Sequence, residues 1–163
     1  MQYTLSILVE NQAGVLSKIS GLFSRRGFNI DSLAVGVTSD PSVSRITIVA
    51  NGDEYVVEQL EKQLNKVIPV IKVKRLNEGD HISRELILIK VNCAPSKRAE
   101  IIKTVEIMQA KIVDVAQNCV TVEYCECANR VNTLIDLLKP YGIKEIVRTG
   151  TVAIDRGAAS VSV

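Results

Sequence analysis

The feature that most constrains the fold is a pattern of apolar residues that occurs twice within the 163 residues of the chain. In the first half, the periodicities follow the order strand, helix, strand, strand, helix, strand. The strands are predicted at residues 3–9, 30–37, 45–50 and 70–76. The apolar stripes of the two helices are Val15, Leu16, Ile19, Leu22 and Phe23, ending at Gly27, and then Val57, Leu60 and Leu64.

The second half repeats this order. Strands are predicted at residues 86–93, 111–116, 120–125 and 143–154, with helices after Pro95 and over residues 128–138. We therefore predict an α+β fold of two consecutive ferredoxin-like βαββαβ domains, each with a four-stranded antiparallel sheet and two helices. The predicted boundaries are 1–76 for the first domain, 77–83 for a linker and 84–163 for the second domain.

In such a domain the helices cover one face of the sheet, and the other face stays open unless another segment covers it. The run Leu86-Ile87-Leu88-Ile89 places apolar side chains on both faces of its strand. This pattern predicts a strand that is covered on both faces or nearly so.

Composition excludes several functions. The chain is 47% hydrophobic and 23% charged with a net charge of +2, which is typical of a globular protein without a nucleic-acid partner. The apolar runs are too short for a membrane span, and the first residues lack the pattern of a secretory leader, so we expect a cytoplasmic protein with no membrane partner. The four cysteines lie in apolar runs and are interpreted as reduced, buried thiols without a metal.

The sequence also argues against catalysis. The single histidine, His81, lies in a polar stretch, so a serine or cysteine nucleophile would lack a general base. Carboxylates such as Glu58 and Glu61 have ordinary roles on a helix surface, and no phosphate-loop or dinucleotide motif is present. With two Phe, four Tyr and no Trp, the sheets also lack stacking platforms for RNA.

The remaining feature is a polar break between the first strand and the first helix, at Glu10-Asn11-Gln12-Ala13-Gly14. A helix that begins there exposes backbone N–H groups and favours an anion such as a carboxylate. Asn11 and Asn29 each carry an amide oxygen for an ammonium and an amide nitrogen for a carbonyl. A zwitterionic ligand fits this pattern, but Asn11 as a helix cap and 27–29 as a simple turn fit it equally well.

Two stretches, 8–16 with LVENQAGVL and 21–33 with GLFSRRGFNIDSL, closely resemble the ACT domain of the acetohydroxyacid synthase (acetolactate synthase) small regulatory subunit. Further landmarks are Asp40-Pro41, the run SRITI at 44–48, the segment at 58–66 and RELILIKV at 84–91, so the resemblance covers nearly the whole chain. Most ACT domains have Pro-Gly before the first helix, whereas this chain has Ala13-Gly14.

The resemblance implies a regulatory subunit without an active site of its own. Its partner would be the catalytic subunit, which carries thiamine diphosphate, Mg²⁺ and FAD, and its effector would be valine, with leucine or isoleucine as weaker ligands. In the family, ACT domains pair edge to edge into a homodimer with the ligand at the interface. Carried over to this chain, the effector site would comprise Asn11, Gly14, Val15, Leu16, Asn29 and Ile30, with Asn29 reaching across from the partner protomer.

Two other hypotheses remain open from the sequence. One is a stand-alone ACT-domain amino-acid sensor that regulates another enzyme or a transcription factor. The other is a purely structural activator whose effector pocket is empty.

Overall fold

The computed structural model describes residues 1–163, which divide into two units. The first unit contains Met1–Ile82 together with Thr151–Val163, and the second contains Ser83–Gly150. The elements of the first half are β1 (Gln2–Glu10), α1 (Val15–Arg25), β2 (Ile30–Val37), β3 (Val43–Asn51), α2 (Glu54–Leu64) and β4 (Val70–Leu76). They form a four-stranded antiparallel sheet in the order β2-β3-β1-β4. The predicted βαββαβ order is confirmed.

The core of the first unit lies between this sheet and its two helices. Ile7 of β1 pairs with Ile46 of β3, and both side chains are fully buried. The predicted helical stripes supply the opposite side of the core, although Leu16 is excluded from it. The buried helical residues are Val15, Ile19, Phe23, Val57, Leu60 and Leu64. Burial of each such side chain is worth roughly 1.5–3 kcal/mol, so α1 and α2 are held mainly by tertiary packing.

The C-terminal segment departs from the predicted domain boundaries. The sequence predicts one strand region over 143–154 that belongs to the second domain, whereas the structure contains two strands, β8 (Ile143–Arg148) and β9 (Val152–Asp155). Between them the backbone of Gly150 adopts a φ of 85°, which L-residues rarely adopt, and residues 151–163 return to the first unit. The predicted linker is also shorter in the structure, because β5 (His81–Asn92) already begins within it.

This returning segment, residues 151–163, lies on the face of the first sheet opposite the helices. The guanidinium of Arg45 on β3 donates to the Ala153 carbonyl at 2.9 Å, and Lys74 on β4 forms an ion pair with Asp155 at 2.9 Å. Leu8 points to the same face and is only 3% exposed. Burial is the main cause that lowers the pKa of Arg45, and the Asp155 carboxylate counteracts it. The face that the repeat alone would leave open is therefore covered.

The second unit repeats the same plan with β5, α3 (Arg98–Met108), β6 (Lys111–Val115), β7 (Cys119–Glu126), α4 (Ala128–Leu138) and β8. The path of its sheet is β6-β7-β5-β8, which corresponds strand for strand to the first sheet. The residues that pack between this sheet and its helices include Ile87, Ile89, Val122, Ile101, Val131 and Leu134. The prediction of two ferredoxin-like domains is confirmed for both halves.

The outer face of the second sheet is not covered, which overturns the prediction made from Leu86-Ile87-Leu88-Ile89. Along β5, Ile87 and Ile89 are fully buried, whereas Leu86 and Leu88 are 37% and 38% exposed. Cys125 pairs with Leu86 on this exposed side. Its exposure also departs from the expectation of buried cysteines, since only Cys93 is buried; all four thiols are unpaired.

No helix in the structure combines the length and the apolar character needed to cross a membrane. No group of three or more His, Cys, Asp or Glu side chains is placed to hold a metal ion.

Candidate effector site at the two ends of the first helix

The first helix begins without a side-chain cap. Its N-cap is Gly14, with a φ of 84° in the left-handed region, and the first helical hydrogen bond runs from the Lys18 N–H to the Gly14 carbonyl at 3.1 Å. The N–H groups of Val15, Leu16 and Ser17 therefore have no intrahelical partner. No atom lies within 4 Å of the position that a Gly14 Cβ would occupy. This end of α1 is an open, positively polarised surface that suits a carboxylate.

Asn11 lies beside this surface but does not cap the helix, so the alternative interpretation of Asn11 as an N-cap is wrong. Its backbone N–H donates to the Ser42 carbonyl at 2.7 Å, and its side-chain Nδ2 donates to the Pro41 carbonyl at 2.9 Å. Both contacts fix the residue to the loop between β2 and β3. The amide nitrogen is thus engaged by a carbonyl of the chain itself, and the amide oxygen Oδ1 is left as an acceptor.

The β2–β3 loop is itself ordered by local hydrogen bonds. The Asp40 carboxylate accepts the Ser42 hydroxyl at 2.7 Å and the Ser42 backbone N–H at 2.9 Å. The hydroxyl bond, followed by the backbone bond, lowers the pKa of Asp40. This Asx-type turn sets the position of the Pro41 carbonyl and hence the orientation of Asn11. The sequence identified Asp40-Pro41-Ser42 only as a turn, and no local signal linked it to Asn11.

The two apolar residues that follow Gly14 have different roles. Val15 is 5% exposed and packs in the core of the first unit, so it anchors the start of the helix from inside. Leu16 is 42% exposed and lies beside the free N–H groups. Of the two, Leu16 is the side chain that a ligand at this surface can contact.

The other predicted site residues lie at the opposite end of α1. Gly27, with a φ of 70°, ends the helix as predicted, and the Phe28 N–H donates to the Phe23 carbonyl at 3.0 Å. Asn29 is exposed, and its Nδ2 donates to Asp31 Oδ1 at 3.0 Å. Ile30 is half-buried and packs against the core of the first unit.

Within one chain, Asn11 and Asn29 do not belong to one local site. They flank α1, whose 11 residues span about 16 Å at 1.5 Å per residue. A small ligand that contacts both asparagines therefore requires a second copy of the chain.

The edge strand that follows Asn29 offers a surface for such pairing. β2 has only one neighbour in its sheet, β3, so its other edge carries unpaired backbone groups. Val35 and Val37 on this strand are 47% and 63% exposed. An edge strand of eight residues with exposed apolar side chains near its end is a surface that a second strand can extend.

These features define a class of protein: tandem ferredoxin-like units in which the first presents the helix-start surface of an ACT domain. Residues 5–72 match the family described as AHAS small subunit-like ACT domain, and residues 84–157 match the family described as small subunit of acetolactate synthase.

Individual relatives match nearly the full length. A probable acetolactate synthase small subunit of Archaeoglobus fulgidus is 50% identical over 157 residues, covering 96% of this chain and 98% of the relative. The acetolactate synthase small subunit of Mycolicibacterium smegmatis is 46% identical, with 98% and 94% covered. The crystal structure of the small subunit from Thermotoga maritima superposes with a TM-score of 0.88 at 38% identity, covering 98% of this chain and 99% of that one. The chain belongs to the acetolactate synthase small subunit family.

Proposed function

We propose that this chain is the regulatory subunit of acetolactate synthase in branched-chain amino-acid biosynthesis. It has no active site of its own, activates the catalytic subunit and confers feedback inhibition by valine. In this proposal thiamine diphosphate, Mg²⁺ and FAD are held by the catalytic partner, and both subunits act in the cytoplasm. Membership of the small subunit family supports the choice of partner.

The observation that carries the effector proposal is the uncapped start of α1. A left-handed glycine without a side-chain cap leaves three N–H groups and an open approach to the backbone. At a helix start these donors are satisfied by a side-chain cap, by water or by a ligand, because an N–H that is buried without a partner is costly. The valine carboxylate binds these N–H groups in our proposal, and the Oδ1 of Asn11 accepts from the valine ammonium.

The second half of the site comes from the partner protomer. Asn29 lies about one helix length from Asn11 in the same chain, so in the homodimer each ligand contacts Asn11 of one copy and Asn29 of the other. Pairing along the β2 edges brings the two copies together in this proposal. Leu16 and Ile30 border the valine side chain, while Val15 supports the helix start from the core. One methylene is worth about 1–3 kcal/mol in such a pocket, so leucine and isoleucine bind more weakly.

Binding across two protomers provides the allosteric coupling. A ligand shifts an equilibrium only by its different affinities for the two arrangements of the protomers, and such couplings are typically about 1–3 kcal/mol. Valine that contacts both copies stabilises the arrangement in which Asn11 and Asn29 approach each other. In our proposal this arrangement is the one that inhibits the catalytic subunit.

Calorimetric titration with valine tests the site on the full chain and on two variants of one position. Gly14→Asp places a carboxylate where the ligand carboxylate binds, and Gly14→Asn adds a side chain of the same shape without the charge. Asn tolerates the left-handed conformation, and no neighbouring atom opposes a Cβ there, so we expect both variants to fold. We expect valine binding to be lost in Gly14→Asp and reduced less in Gly14→Asn. Equal binding in wild type and Gly14→Asp would contradict the site.

The same proteins, mixed with the purified catalytic subunit, test the regulatory role. We expect wild type to raise acetolactate formation and valine to suppress it, while Gly14→Asp still activates and no longer responds to valine. No effect on the catalytic subunit, with valine binding retained, would favour a stand-alone sensor. Activation without any valine response in the wild type would favour a purely structural activator.

A further inference from the structure

The carboxylate of Asp31 joins two amide side chains at the start of β2. Its Oδ1 accepts from Asn29 Nδ2 at 3.0 Å, and its Oδ2 accepts from Nδ2 of Asn51, the last residue of β3. The pairing of β2 with β3 shifts its register between Ile30 and Ser32, so Asp31 is the extra residue of a bulge. Bulges turn a side chain out of its regular direction, which explains how Asp31 reaches along its own strand and across to the neighbouring one.

This contact orients the Asn29 amide. Because one N–H of Nδ2 donates to Asp31, the amide cannot turn over without losing this bond, and Oδ1 stays available as an acceptor for another group. Asn11 is arranged in the same way, since its Nδ2 donates to the Pro41 carbonyl. In both asparagines of the proposed site one N–H of the amide is engaged within the chain, and Oδ1 is the acceptor that remains for a ligand; turning the amide over would break that hydrogen bond.

We infer that Asp31 is the positioning residue that makes the effector site select ligands with an ammonium group. This inference rests on the proposed effector function of Asn11, Gly14 and Asn29. Asp31 acts through Asn29: it engages Nδ2 and so leaves Oδ1 as the acceptor for the ligand, and its negative charge strengthens the attraction of that side of the site for a cation. The uncapped helix start provides the opposite polarity for the carboxylate.

The chemical consequence is discrimination between α-amino acids and the corresponding α-keto acids. Both carry the carboxylate that the helix start binds and the same side chain, but a keto acid has a carbonyl where the amino acid has its ammonium. The two amide oxygens that accept from an ammonium, together with the nearby Asp31 carboxylate, repel that carbonyl oxygen. The site then responds to the amino acid and ignores the keto acid of the same carbon skeleton.

The test is a calorimetric titration of the full chain with valine and, separately, with 3-methyl-2-oxobutanoate, its keto-acid analogue. Wild type is compared with Asp31→Asn, which keeps the shape and removes the charge, and with Asp31→Glu. Asp114→Asn removes an exposed aspartate from β6 of the second unit and serves as the matched control. Circular dichroism melting of each variant separates loss of folding from loss of binding.

We expect Asp31→Asn to weaken valine binding by about tenfold or more, the effect of losing one charge-assisted hydrogen bond, and to leave binding of the keto acid unchanged or improved. Asp31→Glu should recover part of the valine affinity, and Asp114→Asn should match wild type. Asn51→Ala removes the hydrogen bond to the other Asp31 carboxylate oxygen. A smaller loss of valine affinity in this variant would support the network of Asn29, Asp31 and Asn51.

An unchanged valine affinity in folded Asp31→Asn, or an equal loss for both ligands, would overturn the inference. Suppose that Asp31→Asn gives one of these overturning results while wild type binds valine and Gly14→Asp does not. The effector site itself then stands, and only the role of Asp31 fails. If wild type binds neither ligand, the proposed site fails and this inference fails with it.

Discussion

The central strands β1 and β5 hold the same place in the two sheets, yet their surroundings differ. In β1, five consecutive residues from Leu5 to Val9 are buried, so both faces of the strand are covered. In β5, buried Ile87 and Ile89 alternate with exposed Leu86 and Leu88. The uninterrupted apolar run Leu86-Ile87-Leu88-Ile89 therefore faces solvent on one side, whereas the buried run of β1 is interrupted by Ser6.

The difference arises from one segment of chain rather than from the strands themselves. Residues 151–163 bind the outer face of the first sheet, and the Thr151 backbone N–H donates to Ser32 Oγ of β2 at 2.6 Å. Lys72 on β4 reaches the Ser162 carbonyl at 3.1 Å. The burial of a sheet face is set here by a segment whose contacts with the sheet span 81 to 119 residues of sequence, and apolar content alone does not reveal it.

The largest effect is expected when residues 151–163 are removed. The truncated chain loses the cover of Leu8 and Leu76, which are 3% and 4% exposed on that face in the intact protein. Re-exposure of two leucine side chains alone costs about 3 kcal/mol or more. We expect hydrogen exchange measured by mass spectrometry to show a large loss of protection in β1, while protection is unchanged at residues 87–91 of β5, which pair with β7 and β8 and not with the deleted β9.

Residues 87–91 of β5 are the internal control in that experiment, because the deletion leaves both of their partner strands, β7 and β8, intact. Protection that falls equally in β1 and β5 would mean that the segment stabilises the whole chain without being a cover of the first sheet. Unchanged protection in β1 would show that the segment contributes little to burial of Leu8.

A smaller effect is expected from two matched leucine substitutions. Leu8→Ala removes a buried side chain and should lower the free energy of unfolding by about 2–4 kcal/mol. Leu88→Ala, on the outer face of the corresponding strand, removes a side chain that is already 38% exposed and should cost about 1 kcal/mol or less. Urea unfolding followed by circular dichroism measures both. Equal losses of unfolding free energy in the two variants would contradict the proposed difference in cover between the two sheets.

Much of the fold could be predicted because each half carries its own periodicities. The helix stripes ending at Gly27 and Leu64 and the order of helices and strands along the chain follow from local patterns of apolar residues. The outer faces could not be predicted in the same way, because the cover of β1 depends on Gly150, where one predicted strand divides into two. A single glycine with positive φ is a weak signal in a sequence with nine glycines.

The site was predictable in its parts more than in its geometry. The polar break and Gly14 indicated an exposed helix start, and the structure has one. The support of the two asparagines was missed, because Pro41 and Asn51 are distant in sequence from the residues that they contact or help to hold. Hydrogen bonds between loops and strand ends leave no periodicity, so sequence patterns do not report them.

The smallest expected difference concerns one ion pair on the outer face of each sheet. Lys74 and Asp155 hold the returning segment to the first sheet, and the Asp155 side chain is only 9% exposed. Lys90 and Glu145 form a pair at 3.6 Å on the second sheet, where both side chains are exposed to solvent. Asp155→Asn should lower the free energy of unfolding by about 1–2 kcal/mol, because it leaves the partly buried Lys74 ammonium without its charged partner. Glu145→Gln should cost about 0.5 kcal/mol or less, since solvent and salt screen an exposed pair. Thermal unfolding at low and high salt measures both. A cost of Asp155→Asn that vanishes in high salt would show that its pair is no better shielded than the exposed one.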